Sequence, residues 1–272
     1  MRIGYFIGKP ALAADEGIKK ALGEIVAAGN ETYDINRGGI RADTDMLLSF
    51  GGDGTFLSAA RSIGDSKVPV LGVNLGRLGF LADCSLADLT LMLSSGSYTI
   101  EDRTMLQLAM DGGPDNLSPF CLNEISLSRT GVRMLGIDVC VDGRPLPTYW
   151  ADGMLIGTSS GSTAYNLSAG GPVCMPGVRD FLITPVAPHN LGVRTLVVPG
   201  TSEVGISAFS RNGEDVLLTV DNRHFPIRSG SRLTVRTADF PLRKVCPTSS
   251  DFFNTLKTKL FWGRDIRNTI DQ

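Results

Sequence analysis

Met46-Leu47-Leu48-Ser49-Phe50-Gly51-Gly52-Asp53-Gly54-Thr55-Phe56-Leu57 is the stretch that decides how this chain folds. The run at 46–50 is apolar and continuous, which suits a strand buried on both faces of a parallel sheet. It feeds a loop with almost no side chains, Gly51-Gly52-Asp53-Gly54-Thr55. Glycines there let the backbone take positive φ and let a bulky ligand approach main-chain N–H groups. Phe56-Leu57-Ser58-Ala59-Ala60-Arg61 then reads as a helix. A helix N-terminus offers unpaired N–H donors and a positive dipole end, where phosphate oxygens bind well. Gly51, Gly52, Gly54 and Thr55 are therefore candidate phosphate-binding residues, and Asp53 is an acceptor for a proton. Taken alone, the stretch also fits a plain strand-to-helix turn with Asp53 as a solvated cap. The rest of the chain favours the first reading.

Outward from this stretch, the first hundred residues alternate strand and helix. Strands are expected at 3–7, 31–35 and 68–73. Ile18, Leu22, Ile25 and Val26 recur at helical spacing, with Gly29 as a C-terminal cap. A helix over 86–93 ends near Gly96. The alternation predicts a doubly wound α/β domain over residues 1–99, with its ligand site at the carboxyl ends of the strands. Beyond residue 100 the rhythm changes. Short strands are expected at 105–110, 121–128, 134–141, 154–157, 195–198, 204–208, 216–220 and 233–236. Turn signals such as Asp142-Gly143-Arg144-Pro145 and Asn212-Gly213 separate them. A β-rich domain is expected over 100–247, followed by a helical tail over 248–272.

Composition excludes several classes. The chain has 272 residues, 42% of them hydrophobic, enough for one or two packed domains. A net charge of -2 gives no general nucleic-acid footprint. Arg223, Arg228, Arg232, Arg236 and Arg243 gather late, as a solvated face of a strand-rich segment would. The five cysteines are scattered without a CxxC pair and read as reduced. With two histidines and no Cys/His cluster, a zinc site is not expected. No apolar run approaches a membrane span. The first residues read as a strand, so a cytoplasmic protein is expected.

Other stretches carry chemistry. Gly72-Val73-Asn74-Leu75-Gly76-Arg77-Leu78-Gly79-Phe80-Leu81 is a second glycine loop, with Phe80 as a candidate wall for an aromatic base. Asn123-Glu124 opens an apolar strand, and one of the pair should face inward. An amide matches the donor and acceptor of an adenine edge, and a carboxylate can accept two ribose hydroxyls. Asp152 to Pro172 holds a strand, the hydroxyl-rich turn Gly157-Thr158-Ser159-Ser160-Gly161, a short helix that Ser162 or Thr163 can cap, and a Gly-Gly-Pro stop. Ser162 lies in no GxSxG elbow, and neither a Walker A motif nor a GxGxxG fingerprint is present.

In these stretches the chain resembles the NAD kinase family. The matching pieces are Gly51 to Leu57, Gly72 to Leu81, Leu122-Asn123-Glu124, Asp152 to Pro172, Thr184-Pro185-Val186-Ala187-Pro188-His189 and Phe252-Phe253-Asn254-Thr255-Leu256. The Asp loop alone is shared with diacylglycerol, sphingosine and phosphofructokinase relatives; the combination is specific. The resemblance implies an α/β domain with the Asp loop, a β-rich domain that supplies much of the NAD pocket, and a tail that packs back on the first domain. It implies ATP- and Mg²⁺-dependent phosphorylation of the 2′-hydroxyl of the adenosine ribose of NAD. Asp53 would accept the proton, and the divalent cation would arrive with ATP, with no protein cage of its own. Asn123 would read adenine, Glu124 would hold ribose hydroxyls, and Asp152 would meet the nicotinamide end. Asp53, Gly54, Phe80, Ser160, Thr163, Ala164, Tyr165, Ser168 and Ala187 would complete the NAD-binding set. The family's members are commonly dimers or tetramers, so a homo-oligomer is expected, with no nucleic-acid or membrane partner. Three departures stand out: Thr158-Ser159-Ser160 in place of Thr-Pro-Thr, Asp221-Asn222-Arg223 in place of Asp-Gly-Gln, and Lys257 in place of Arg. A lipid kinase sharing the Asp loop and an inactive dinucleotide-binding protein are the alternative readings.

Overall fold

The computed structural model describes residues 1–263; residues 264–272 of the expected tail lie outside the described residues. Two compact units form. One comprises Met1–Ile63, Val68–Glu101 and the described residues from Arg243 onward, and the other Gly64–Lys67 and Asp102–Leu242.

The first unit is built on a sheet whose strand order is Glu31–Asp34, Arg2–Ile7, Met46–Phe50, Val70–Asn74, Leu242–Pro247, Tyr98–Arg103, with Cys84–Ser85 also paired to Val70–Asn74. Every residue of Met46–Phe50 and Val70–Asn74 is buried, as the apolar runs require for strands covered on both faces. Met46, Leu48, Phe50, Leu71 and Val73 pack on Ile18, Ala21 and Ile25 of the helix Glu16–Ala27 and on Leu89, Met92 and Leu93 of the helix Leu89–Ser95. Leu47, one residue out of phase, points to the opposite face and is also fully buried. From Arg2–Ile7 the chain crosses to Glu31–Asp34 on one side and continues with Met46–Phe50 on the other. The order therefore reverses between Arg2–Ile7 and Met46–Phe50, and such a switch point opens a crevice at the carboxyl ends of the strands.

The second unit is a sandwich. One sheet runs Arg144–Pro145, Leu135–Val141, Val204–Phe209, Arg232–Thr237, Leu106–Met110, Phe120–Cys121, with Tyr149–Ala151 on the side of Leu135–Val141. The other runs Leu196–Pro199, Asp180–Val186, Gly153–Gly157, Glu124–Arg129, Val216–Val220, Arg223–Ile227. Side chains of both sheets share one core, from Leu106, Ile137 and Val235 to Ile125, Met154 and Leu218.

Three of the strands not expected from the sequence have physical reasons for being hidden. Asp180–Val186 contains Pro185, which lies past Ile183, the last residue paired with the neighbouring Leu196–Pro199 strand. Arg223–Ile227 contains Pro226 and is an edge strand, where proline is tolerated. Leu242–Pro247 carries Lys244 and lacks an apolar pattern, yet it joins the first sheet ahead of the boundary expected at 247. No helix among the described residues is long and apolar enough to cross a membrane.

Candidate functional site

The Asp53 region belongs to the first unit. Asp53 is the first residue of the helix Asp53–Ile63, so the helix starts three residues earlier than the Phe56 expected from sequence. Thr55 and Phe56 already donate backbone N–H to Gly52 O, which draws the carboxylate into the first turn. Of the three loop glycines only Gly51 has positive φ, at 151°. A Cβ on Gly51 would stand 2.4 Å from Thr55 Oγ1, and one on Gly8, just past the first strand, 2.8 Å from Thr55 Cγ2. Thr55 is thus clamped between the two strand ends at the switch point. Gly52 and Gly54 face open space, where a ligand can meet the backbone directly. Their use is close approach, while Gly51 alone of the three supplies the positive φ.

The second glycine loop is folded onto the same carboxylate. Phe80 N donates to Asp53 Oδ2, and Leu81 N and Ala82 N donate to Oδ1, each at 3.0 Å. Gly79 N closes the turn onto Ala82 O. A Cβ on Gly79 would lie 1.9 Å from Asp53 Oδ1, so only glycine fits. Phe80 is half-buried, and its ring packs on Phe252 at 6.1 Å between centroids. The helix Phe252–Leu260, capped by the Asp251 side chain, brings Lys259 Nζ to 3.8 Å from Asp53 Oδ2 and 5.0 Å from the Phe80 ring centre. The sequence alone does not single out Lys259, because nothing local links it to a residue two hundred positions away. Behind the loop, Asp83 accepts from Lys244 Nζ at 2.8 Å and from Ser250 Oγ at 2.7 Å.

The Asn123-Glu124 region belongs to the second unit. Both residues are buried, and both face a need that the protein itself leaves open. Asn123 Oδ1, Glu124 Oε2 and Ser160 Oγ are buried without a hydrogen-bond partner. Orphaned buried polar atoms are rare and costly, so three on one platform mark a place for a polar ligand. The platform is tight. Thr158 N donates to Asn123 O at 2.9 Å, Thr158 Oγ1 donates to Leu122 O, and a Cβ on Gly161 would lie 2.2 Å from Asn123 O. Asp221, in the left-handed region at φ 51° between Val216–Val220 and Arg223–Ile227, accepts from Leu122 N at 3.0 Å and Asn123 N at 2.8 Å. Its carboxyl is raised by burial, against the lowering effect of its backbone bonds to Leu122, Asn123 and Glu124. Burial, and then the charge of Asp221, push the Glu124 carboxyl up to about 8. Burial thus favours the protonated form of Glu124, which carries one donor besides its acceptors.

The Gly157-to-Pro172 loop is pinned by Asn166, a residue that carries no local sequence signal. Its Nδ2 donates to Ser162 O and Pro172 O, and its Oδ1 accepts from Thr184 Oγ1 at 2.6 Å. The expected helix cap by Ser162 or Thr163 is not formed. The helix Tyr165–Ser168 follows Ala164 with no side-chain cap, and Ser162 Oγ is used instead by Cys174 N at 3.0 Å. Thr163 and Ala164 are half-buried, while Tyr165, Ser168 and Ala187 are exposed. Ala187 holds φ at 45°, an uncommon conformation for a residue with a Cβ. Asp152 is engaged by Arg129, with Nε 2.7 Å from Oδ1 and a second bond at 3.2 Å.

Comparison with known proteins identifies the family. Residues 14–95 match the family described as ATP-NAD kinase N-terminal domain, and residues 122–246 the ATP-NAD kinase C-terminal domain. The chain is 43% identical over 229 residues to the NAD kinase of Bacteroides fragilis, covering 83% of this chain and 79% of that protein. It is 39% identical over 238 residues to that of Geotalea daltonii, covering 85% and 84%. Among solved structures, yeast NADH kinase complexed with NADH superimposes with a TM-score of 0.85 at 25% identity, over 99% of this chain and 90% of that one. An NAD kinase from Archaeoglobus fulgidus in complex with ATP gives 0.77 at 25% identity, over 96% and 99%. The chain belongs to the NAD kinase family and is an enzyme, a kinase that phosphorylates NAD.

Proposed function

We propose that the chain moves the γ-phosphoryl group of ATP to the 2′-hydroxyl of the adenosine ribose of NAD. The O2′–P bond forms, the bond from phosphorus to the β,γ-bridging oxygen breaks, and ADP leaves with its electron pair. The hydroxyl proton goes to Asp53. The observation that supports this role best is the set of three N–H donors on the Asp53 carboxylate. A carboxylate has about four lone-pair sites. Oδ1 uses two on Leu81 N and Ala82 N, and Oδ2 uses one on Phe80 N. The remaining site on Oδ2 is where the proton lands. The loop fixes the base in orientation, and the helix start with open space at Gly52 and Gly54 receives phosphate.

Asn123, Glu124 and Ser160 are the residues proposed to hold the adenosine half of NAD, each with a buried polar atom awaiting a partner. Thr163, Ala164, Tyr165, Ser168 and Ala187 are proposed to line the dinucleotide. Asp152 would reach the nicotinamide end only by sharing its carboxylate with Arg129. Mg²⁺ or another divalent cation would be held chiefly by substrate phosphates in the open space at Gly52 and Gly54, because the one lone pair that the Asp53 carboxylate has to spare is the one that takes the proton. When bound, it would supply neutralisation of phosphate charge. A cytoplasmic location and a homo-oligomer, dimer or tetramer, complete the proposal.

The test is NADP formation from purified protein, ATP, Mg²⁺ and NAD, repeated with Asp53→Asn. The amide fills the same space but cannot take the proton, and turnover should fall by about 10² to 10⁴. NAD affinity should stay within about tenfold. Near-normal turnover in Asp53→Asn would remove the residue from this role.

A further inference from the structure

We propose that Lys259 is a second catalytic residue, one that holds an oxygen of the transferred phosphoryl group after parting from Asp53. This role rests on Asp53 being the base and extends the site to a residue of the C-terminal helix.

The charge balance of the site leads here. Lys259 Nζ lies 3.8 Å from Asp53 Oδ2, too long for a firm hydrogen bond and close enough for attraction. Oδ2 is the oxygen with a lone pair to spare, as the three backbone donors leave only that one. Both side chains are about one-third exposed, at 31%, so the ammonium stands at the rim with its donors open to a ligand. The Phe80 ring face lies 5.0 Å from the same ammonium and steers it without using up its N–H groups. The helix that carries it is anchored well short of Lys259. Asp251 caps it through Phe253 N and Asn254 N, Thr255 and Leu256 are buried, and the Phe252 ring packs tilted against Phe80.

Charge moves during the reaction in a way this geometry serves. Before transfer, the Asp53 carboxylate and the Lys259 ammonium balance each other. When the ribose oxygen bonds to phosphorus, its proton passes to Oδ2 and the carboxylate becomes neutral. The Lys259 charge is then unpaired at the moment when negative charge spreads over the equatorial phosphoryl oxygens. An ammonium with three donors on a flexible stem can turn to one of them. Its attraction is stronger in the transition state than in the ground state, where Asp53 competes for it, and only such a difference accelerates the chemical step.

The experiment is steady-state kinetics on Lys259→Ala and Lys259→Arg, with melting temperature as a check on folding. Lys259→Ala should lower kcat about 10²-fold, in the range of a lost charge-stabilising donor, with the KM for NAD within about twofold. Lys259→Arg keeps the charge and should recover part of the rate. Added ethylamine or propylamine should restore turnover to Lys259→Ala in a saturable way and leave Lys259→Met, whose stem fills the space, unrescued. A purely structural lysine would give none of this rescue. Wild-type kcat in Lys259→Ala, or a loss that neither arginine nor amine relieves, would overturn the proposal. If the wild-type protein itself makes no NADP, the Asp53 reading fails first, and the two failures are told apart by that control.

Discussion

Lys244 and Asp83 form an ion pair at 2.8 Å whose ammonium is 1% exposed and whose carboxylate is 7% exposed. Asp83 follows directly on Ala82, the last residue of the turn that donates to Asp53. Lys244 comes from Leu242–Pro247, the strand that enters the first sheet from the far end of the sequence. The pair thus fastens the Asp53 clamp to the sheet. Removing one partner of such a pair leaves a buried charge without compensation, which costs about 3–5 kcal/mol. Asp83→Leu should therefore lower the melting temperature sharply. The double variant Asp83→Leu/Lys244→Met, which buries no charge, should regain most of that loss. Thermal unfolding of both variants checks this, and a double variant no more stable than the single one would contradict it.

Gly79→Ala tests the clamp without touching a charge. The new methyl would stand 1.9 Å from Asp53 Oδ1, so either the turn or the carboxylate must shift. A displacement near 1 Å at a reacting group can cost about 10²-fold in rate. Expected is a fall in kcat of that order with a melting temperature within a few degrees of wild type. Unchanged kcat would mean that the N–H donors on Asp53 do not set its working position.

Glu124 gives a pH signature. Its folded pKa, about 8, stands above the ordinary value of 4.5, because burial and the charge of Asp221 penalise the ionised form. Below pH 4.5 the side chain is neutral in both states and no penalty arises. Between 4.5 and about 8 the unfolded chain binds fewer protons than the folded one, so this group makes stability fall as pH rises. Above about 8 the effect levels off. Glu124→Gln carries no such group. Its stability relative to wild type should therefore improve steadily from pH 5 to pH 8, by a few kcal/mol at most, since a tenfold change in a proton equilibrium is worth roughly 1.4 kcal/mol. Denaturant titrations of the two proteins at pH 5, 6.5 and 8 measure the trend, and parallel pH profiles would refute it.

Tyr165 is 42% exposed, beside the uncapped start of its helix. A ring so placed contributes little to the fold. Tyr165→Ala should leave the melting temperature within about 2 °C, the range of surface substitutions. It should weaken NAD binding by about 1 kcal/mol, the value of an aromatic contact, and Tyr165→Phe should bind nearly as wild type. Calorimetric NAD titration of both variants decides it; unaltered affinity in Tyr165→Ala would take the residue out of the proposed site.

Much of the site is legible in the chain because it is local. An apolar run, a glycine loop and a helix start sit within a dozen residues around Asp53, and each follows from backbone chemistry that neighbours in sequence share. The same holds for Gly161 as a member of a glycine turn, although the reason it must be glycine, Asn123 O at 2.2 Å from any Cβ there, is not legible. The alternation of the first hundred residues points to the doubly wound sheet for a like reason, since hydrophobic period is a local signal.

What only the tertiary structure decided are the partnerships made across long sequence separation. In the sequence Asp221 is only the matching first residue of a triplet that departs from its motif at Asn222 and Arg223, yet it orders Asn123 by two backbone bonds across the platform, to Leu122 N and Asn123 N. Lys244 interrupts an otherwise strand-like segment and hides it, because its charge is balanced by Asp83, far away in sequence. Lys259 reaches Asp53 through the packing of its helix, which includes Phe252 on Phe80 and the buried Thr255 and Leu256. Periodicity and propensity describe how a segment meets an average environment. They are silent about which distant group will satisfy a particular charge or N–H, because that choice is made by the packing of whole elements, and here that packing holds the Asp53 carboxylate on three backbone N–H groups beside the Lys259 ammonium.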